Sequence, residues 1–90
     1  MFTGESIPLE RVKWLDSRGA TDHWIRIEDL AENHALEMTS VGFIIFENEI
    51  EIQIAPHIGI EENFEKTQVC GVMTIPKIAI KQRTRLDDER

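Results

Sequence analysis

Residues 39–55, Thr39-Ser40-Val41-Gly42-Phe43-Ile44-Ile45-Phe46-Glu47-Asn48-Glu49-Ile50-Glu51-Ile52-Gln53-Ile54-Ala55, decide the fold. Thr39 to Phe46 has the β-branched and aromatic content of a strand, and Gly42 to Phe46 is apolar on both faces, so both sides of that strand need cover. After the interruption at Glu47-Asn48-Glu49, Ile50, Ile52 and Ile54 alternate with Glu51 and Gln53. A period of two with one wet face is the signature of a half-buried strand, which makes residues 40–55 a hairpin.

Upstream, Val12 and Trp14 alternate with Arg11 and Lys13 and stop at the turn formers Asp16-Ser17-Arg18-Gly19, giving a first strand. Residues 1–8 lack periodicity and read as a loose arm. Between the first strand and the hairpin, Trp24 to Ile27 is apolar, and Glu28-Asp29-Leu30-Ala31-Glu32 places acids in a first helical turn, so one short helix is expected, ended by Asn33 and His34. Downstream, Pro56 ends the hairpin's second strand, and residues 59–67 read as the longest exposed loop, anchored by Phe64. Val69 to Ile75 forms a further strand and Pro76-Lys77 a corner. Ile78, Ile80, Gln82, Thr84 and Leu86 then alternate with Lys81, Arg83 and Arg85 as a closing strand with a basic outer face, before residues 87–90 fray.

The expected architecture is mainly β: a small, strongly bent antiparallel sheet or partly open SH3-like or Sm-like barrel of about five strands with one short helix, filling residues 1–90 as a single domain. The barrel names rest on fold-level analogy, since a strand, an Ile-Pro-Lys corner and a closing strand would be at home there. Seventeen acids against ten Lys plus Arg give a net charge of -7, which disfavours general nucleic-acid binding. A single cysteine, Cys70, forms no internal disulfide, and no basic start precedes an apolar block, so a cytoplasmic location is expected, with no membrane segment.

No chemistry converges in the sequence. His23, His34, His57 and Cys70 are scattered without a metal-binding spacing, and Cys70, between Val69 and Gly71, reads as a core residue. Ser6, Ser17 and Ser40 lack a nucleophile elbow, and Asp16 with Asp22, or Glu61 with Glu62, are pairs that an acidic chain produces by chance. The expectation is no enzyme, no catalytic residue, no metal and no cofactor.

The uneven feature is charge placement: residues 77–85 carry Lys77, Lys81, Arg83 and Arg85 and no acid, while residues 1–76 hold five bases and fourteen acids. These cations read either as a solvated, aggregation-proof edge or as an anion pocket in which Trp14 or Trp24 stacks on a base, with the core reading of both tryptophans preferred. Because the apolar run needs cover, a homo-oligomer is expected, with Phe43, Ile45 and Phe46 at its interface.

Val12-Lys13-Trp14-Leu15-Asp16-Ser17, Trp24 with Ile27-Glu28-Asp29-Leu30, Thr39-Ser40-Val41-Gly42-Phe43, and Gly71-Val72-Met73-Thr74-Ile75-Pro76-Lys77 with Ile80 together resemble short, mostly uncharacterised proteins of bacteriophages and prophages. The resemblance covers most of residues 11–86, with Phe43 where that group would carry Trp. It implies a non-catalytic accessory protein acting in a bacterial host cytoplasm and brings no catalytic residue. Its expected work is to bind and occupy a host protein or other macromolecule. The alternatives are a homo-oligomeric sponge for a small anionic nucleotide signal used in antiphage defence, or a minor virion or assembly component.

Overall fold

A computed structural model describes residues 7–32, 34–59 and 67–87 of the chain. The protein is mainly β. Strands β1 (Leu9–Asp16), β2 (Leu36–Glu47), β3 (Glu51–Ala55), β6 (Met73–Pro76) and β7 (Ile80–Arg85) form an antiparallel sheet in the order β6-β3-β2-β1-β7. Strands β4 (His57–Gly59) and β5 (Gln68–Cys70) form a second, two-stranded sheet. No ladder joins β6 to β7 among the described residues, so the sheet does not close into a barrel; a 3₁₀ turn at Lys77–Ala79 links these two edge strands.

The expected hairpin is β2–β3. Its turn is built by Asn48, whose side-chain oxygen accepts from the backbone N–H of Ile50 (2.9 Å) and Glu51 (3.0 Å). That turn moves Ile50 out of the strand and leaves it 67% exposed, so the alternation reaches the core only with Ile52 and Ile54. Strand β2 is long enough to serve two partners: Leu36–Phe43 pair with β1, and Phe43–Glu47 pair with β3. Gly42 sits beside the change of partner, where a Cβ would lie 2.7 Å from the Ala55 carbonyl oxygen and 2.9 Å from Ile54 Cγ1. Only glycine lets the two backbones come this close.

Period-two alternation sorts the inner face. Val12 and Trp14 of β1, Ile44 of β2, Ile52 and Ile54 of β3 and Ile75 of β6 are buried together, with Met38 and Ile80 packed against them. Trp14 Nε1 donates to Ser40 Oγ at 3.0 Å, which satisfies the indole's one polar atom inside the core. Ser40 therefore lies within β2, which begins at Leu36, four residues before the expected start.

The second half of the chain differs from its sequence reading in three places. Pro56 ends β3 as expected, but the chain resumes at once as β4 in the separate two-stranded sheet. The β3–β6 ladder (Glu51↔Pro76 to Ile54↔Met73) and the β4–β5 ladder (His57↔Cys70 to Gly59↔Gln68) keep one register offset, which sets Pro56 against Gly71. Proline lacks the N–H that the ladder would use, and Gly71 adopts φ 79°, a left-handed value that suits glycine, so the break falls at these two residues. The segment expected as one strand over Val69 to Ile75 is thus β5 and β6, and Cys70 is exposed rather than in the core. After Pro76 the chain turns through Lys77–Ala79, leaving Ile78 99% exposed.

The third difference lies in β7. Lys13 pairs with Gln82 and Trp14 with Ile80, so Lys81 is an extra residue in the ladder. The bulge changes the side-chain phase, and Arg83, opposite the buried Val12, lies on the inner face instead of the expected outer one. The short helix between β1 and β2 is a 3₁₀ turn, Ile27–Glu32. Pro8, at the end of the expected loose arm, is tied to the sheet through its carbonyl, which accepts from the Ile44 N–H at 2.9 Å. Asp87, expected to fray, is buried. The anchor role given to Phe64 and the remainder of both tails fall outside the described residues.

Candidate functional site

Each of the four cations of residues 77–85 meets a carboxylate: Lys77, Lys81 and Arg83 meet ones from β1 or β2, and Arg85 meets Asp87, two residues on. Glu10 is in phase with Val12 and Trp14 on the inner face of β1, and its side chain is only 8% exposed. A carboxylate there is stable only if paired and hydrogen-bonded. Arg83 supplies the pair: its Nε donates to Glu10 Oε1 at 2.7 Å and its Nη2 to Glu10 Oε2 at 3.0 Å. The same guanidinium donates from Nη1 to Glu47 Oε2 and from Nη2 to Glu47 Oε1, both at 2.9 Å. Lys77 Nζ completes the group, 2.8 Å from Glu47 Oε2. The rigid five-donor fork of arginine lets one side chain tie β1, β2 and β7 together.

Nearby, Arg85 Nε donates to Asp87 Oδ1 at 2.7 Å, while the other oxygen of Asp87 accepts from the Leu9 N–H at 3.2 Å. Lys81 Nζ lies 3.3 Å from Glu37 Oε2 in an exposed pair. Hydrogen bonds from Arg83 and then Lys77 hold the Glu47 carboxyl down at about 2, and the bond from Arg85 holds Asp87 below its ordinary value. The partnership with Glu47 and Glu10 raises the already basic Arg83 further. Two acids and two bases make the central cluster formally neutral. A carboxylate held as low as Glu47 is a poor proton acceptor at neutral pH, so the cluster's chemistry is that of a structural clasp. An anion reaching these cations would have to displace carboxylates that already fill them.

The tryptophans part company. Trp14 is a core residue as expected, whereas Trp24 lies in the 17–35 connection and is 99% exposed. The structure does not bring Trp24 into the core, because a short apolar segment without periodicity fixes no facing direction. Ile27, 84% exposed, and Leu30, in the 3₁₀ turn, share that connection and its exposure. Phe43, Ile45 and Phe46 are all half-buried. Phe43 pairs with Leu9 on one side and Ala55 on the other, and Ile45 is the extra residue of a bulge between Ile44 and Phe46.

Of the histidines, His23 is exposed, with Nδ1 2.8 Å from Asp22 Oδ1, and the His34 carbonyl accepts from Arg18 Nε. His57 lies directly opposite Cys70 in the β4–β5 ladder. Among the described residues no group of three such donors is brought together, and no helix is long and apolar enough to cross a membrane.

Glu10, Glu47 and Asp87 were not singled out by the sequence. For Glu10 the signal was present: a charge at the inward phase of an alternating strand asks for a buried partner. For Glu47 and Asp87 no such signal exists, because Arg83 and Arg85 lie on β7 beyond the phase change at Lys81, and Lys77 lies in the 3₁₀ turn before that strand.

Compared with known proteins, the chain matches no family model, no curated protein and no solved structure.

Proposed function

We propose that the chain is a non-catalytic accessory protein of the phage type that binds and occupies a host protein through the connection between β1 and β2. The observation that carries this reading is Trp24, 99% exposed in the same connection as Ile27 and Leu30. Tryptophan left wholly in water contributes nothing to the fold that holds it, and it is among the residues that dominate binding when covered by a partner. The net charge of -7 favours a protein partner over a phosphate backbone.

The test is a titration of the purified chain against the host protein it retains from a bacterial lysate. Trp24→Ala should weaken binding by about 30-fold or more, a hot-spot loss of roughly 2 kcal/mol, while melting like the parent. Equal affinity of the parent and Trp24→Ala, or an absence of any retained protein at low salt, would sink the reading.

A further inference from the structure

The two free edges of the sheet system are built differently. Along β7 the chain carries the exposed cations Lys81 and Arg85, charges of the kind that natural sheets use against pairing with another strand. Along the other edge, β5 and β6 run from Gln68 to Pro76 with β4 and β3 on one side and no strand on the other among the described residues. These nine residues contain no Asp, Glu, Lys or Arg in a chain that is 30% charged, and all but Ile75 are exposed. Val69, Val72 and Met73 present apolar side chains there at 38%, 46% and 40% exposure.

We infer that the β5–β6 edge pairs with the same edge of a second copy of this chain, antiparallel and about a two-fold axis at Gly71. The order of residues argues for self over a foreign strand. Reading outward from Gly71, Cys70 is matched by Val72, Val69 by Met73 and Gln68 by Thr74. A two-fold at Gly71 therefore sets small apolar against apolar and amide against hydroxyl on both sides, the self-complementarity that an isologous interface requires. The break at Gly71 falls on the axis, so both halves are interrupted at the same point. Charge points the same way: copies that each carry -7 repel through most of their surface, and this edge lets them meet without opposing like charges. The interface differs from one formed by Phe43, Ile45 and Phe46, and it leaves the connection bearing Trp24 in solvent.

Analytical ultracentrifugation of the full chain tests the assignment. The parent should sediment as a dimer. Gln68→Lys with Thr74→Lys, both at exposed polar positions, places lysines opposite one another across the axis and should give a monomer with an unchanged circular dichroism spectrum. Gln68→Lys with Thr74→Glu restores opposite charges in that register and should return the dimer. A monomeric parent, a double-lysine variant that stays dimeric, or a failure of the Lys/Glu variant to regain the dimer would each overturn the inference. If the double-lysine variant does not fold, Val69→Lys alone, at a 38% exposed position, replaces it, with a monomer expected and a dimer fatal to the assignment.

Discussion

The inner face of the sheet has two halves that hold together by different physics. Toward β3 and β6 it is oily: Ile44, Ile52 and Ile75 are wholly buried, joined by Val12 from β1. Around Arg83 of β7 it is ionic, with Glu10 and Glu47 clasped by Arg83 and Lys77. The oily half stabilises by area, at about 1.5–3 kcal/mol for each large side chain withdrawn from water, and is indifferent to which strand supplies the surface. The ionic half contributes little net energy, because removing charges from water costs about what their attraction returns. What it adds is position: the bidentate bonds of Arg83 are satisfied in one register of β7 against β1 and β2.

The largest break in this comparison is expected on the oily side. Ile44→Ala removes buried methyl groups at the centre of a core with only seven buried hydrophobic residues among those described, so little surrounding material can collapse into the void. A loss of about 2–5 kcal/mol in urea unfolding is expected, the same at low and high salt. A loss that shrinks strongly with added salt would show that the two halves are not energetically separate.

Arg83→Ala should cost less, about 1–3 kcal/mol, and by another route: it leaves the Glu10 carboxylate, 8% exposed, without its charged partner. The sharper measurement is the pair of variants. Replacing Glu10 and Arg83 together by Met and Leu should recover most of the loss, since an apolar pair of similar size carries no desolvation cost. Were the double variant as unstable as Arg83→Ala, the clasp would be a direct source of stability and not mainly a device of register. In either case the structural effect should appear at β7, as faster amide exchange along Ile80–Arg85 than along β3.

The two halves were not equally readable in the sequence. The oily half announced itself through the period-two isoleucines of β3 and the apolar run of β2, because burial on a strand leaves a mark at every second residue. Even there the turn chemistry of Asn48 removed Ile50 from the pattern, and only the side-chain bonds show why. The ionic half was legible as composition and misread as direction. Lys77, Lys81, Arg83 and Arg85 were visible as a basic cluster, but one extra residue at Lys81 turns Arg83 inward, and a bulge leaves no trace in a hydrophobicity pattern. Trp24 and Cys70 share a different cause. Both sit in short apolar segments whose core-like composition says nothing about facing, and both are exposed.

The smallest expected effect separates the halves by pH. With the Glu47 carboxyl held at about 2 against an ordinary 4.5, the folded state binds its proton less readily than the unfolded chain does. The stabilisation is therefore complete above pH 4.5 and is lost as pH falls through about 2. Because the side chain is 34% exposed, solvent screening reduces this contribution to about 1 kcal/mol. Glu47→Gln should thus lower stability by that amount at neutral pH, and the gap between variant and parent should close as the solution is acidified from 4.5 toward 2. Asp87, also depressed by its bond from Arg85, titrates in both proteins and cancels from the difference. Ile44→Ala keeps its deficit across the same range, since no proton is linked to a methyl group. Urea midpoints for the three proteins over that acid range decide the matter: a constant gap for Glu47→Gln would mean that Arg83 and Lys77 do not favour the ionised carboxylate in the fold.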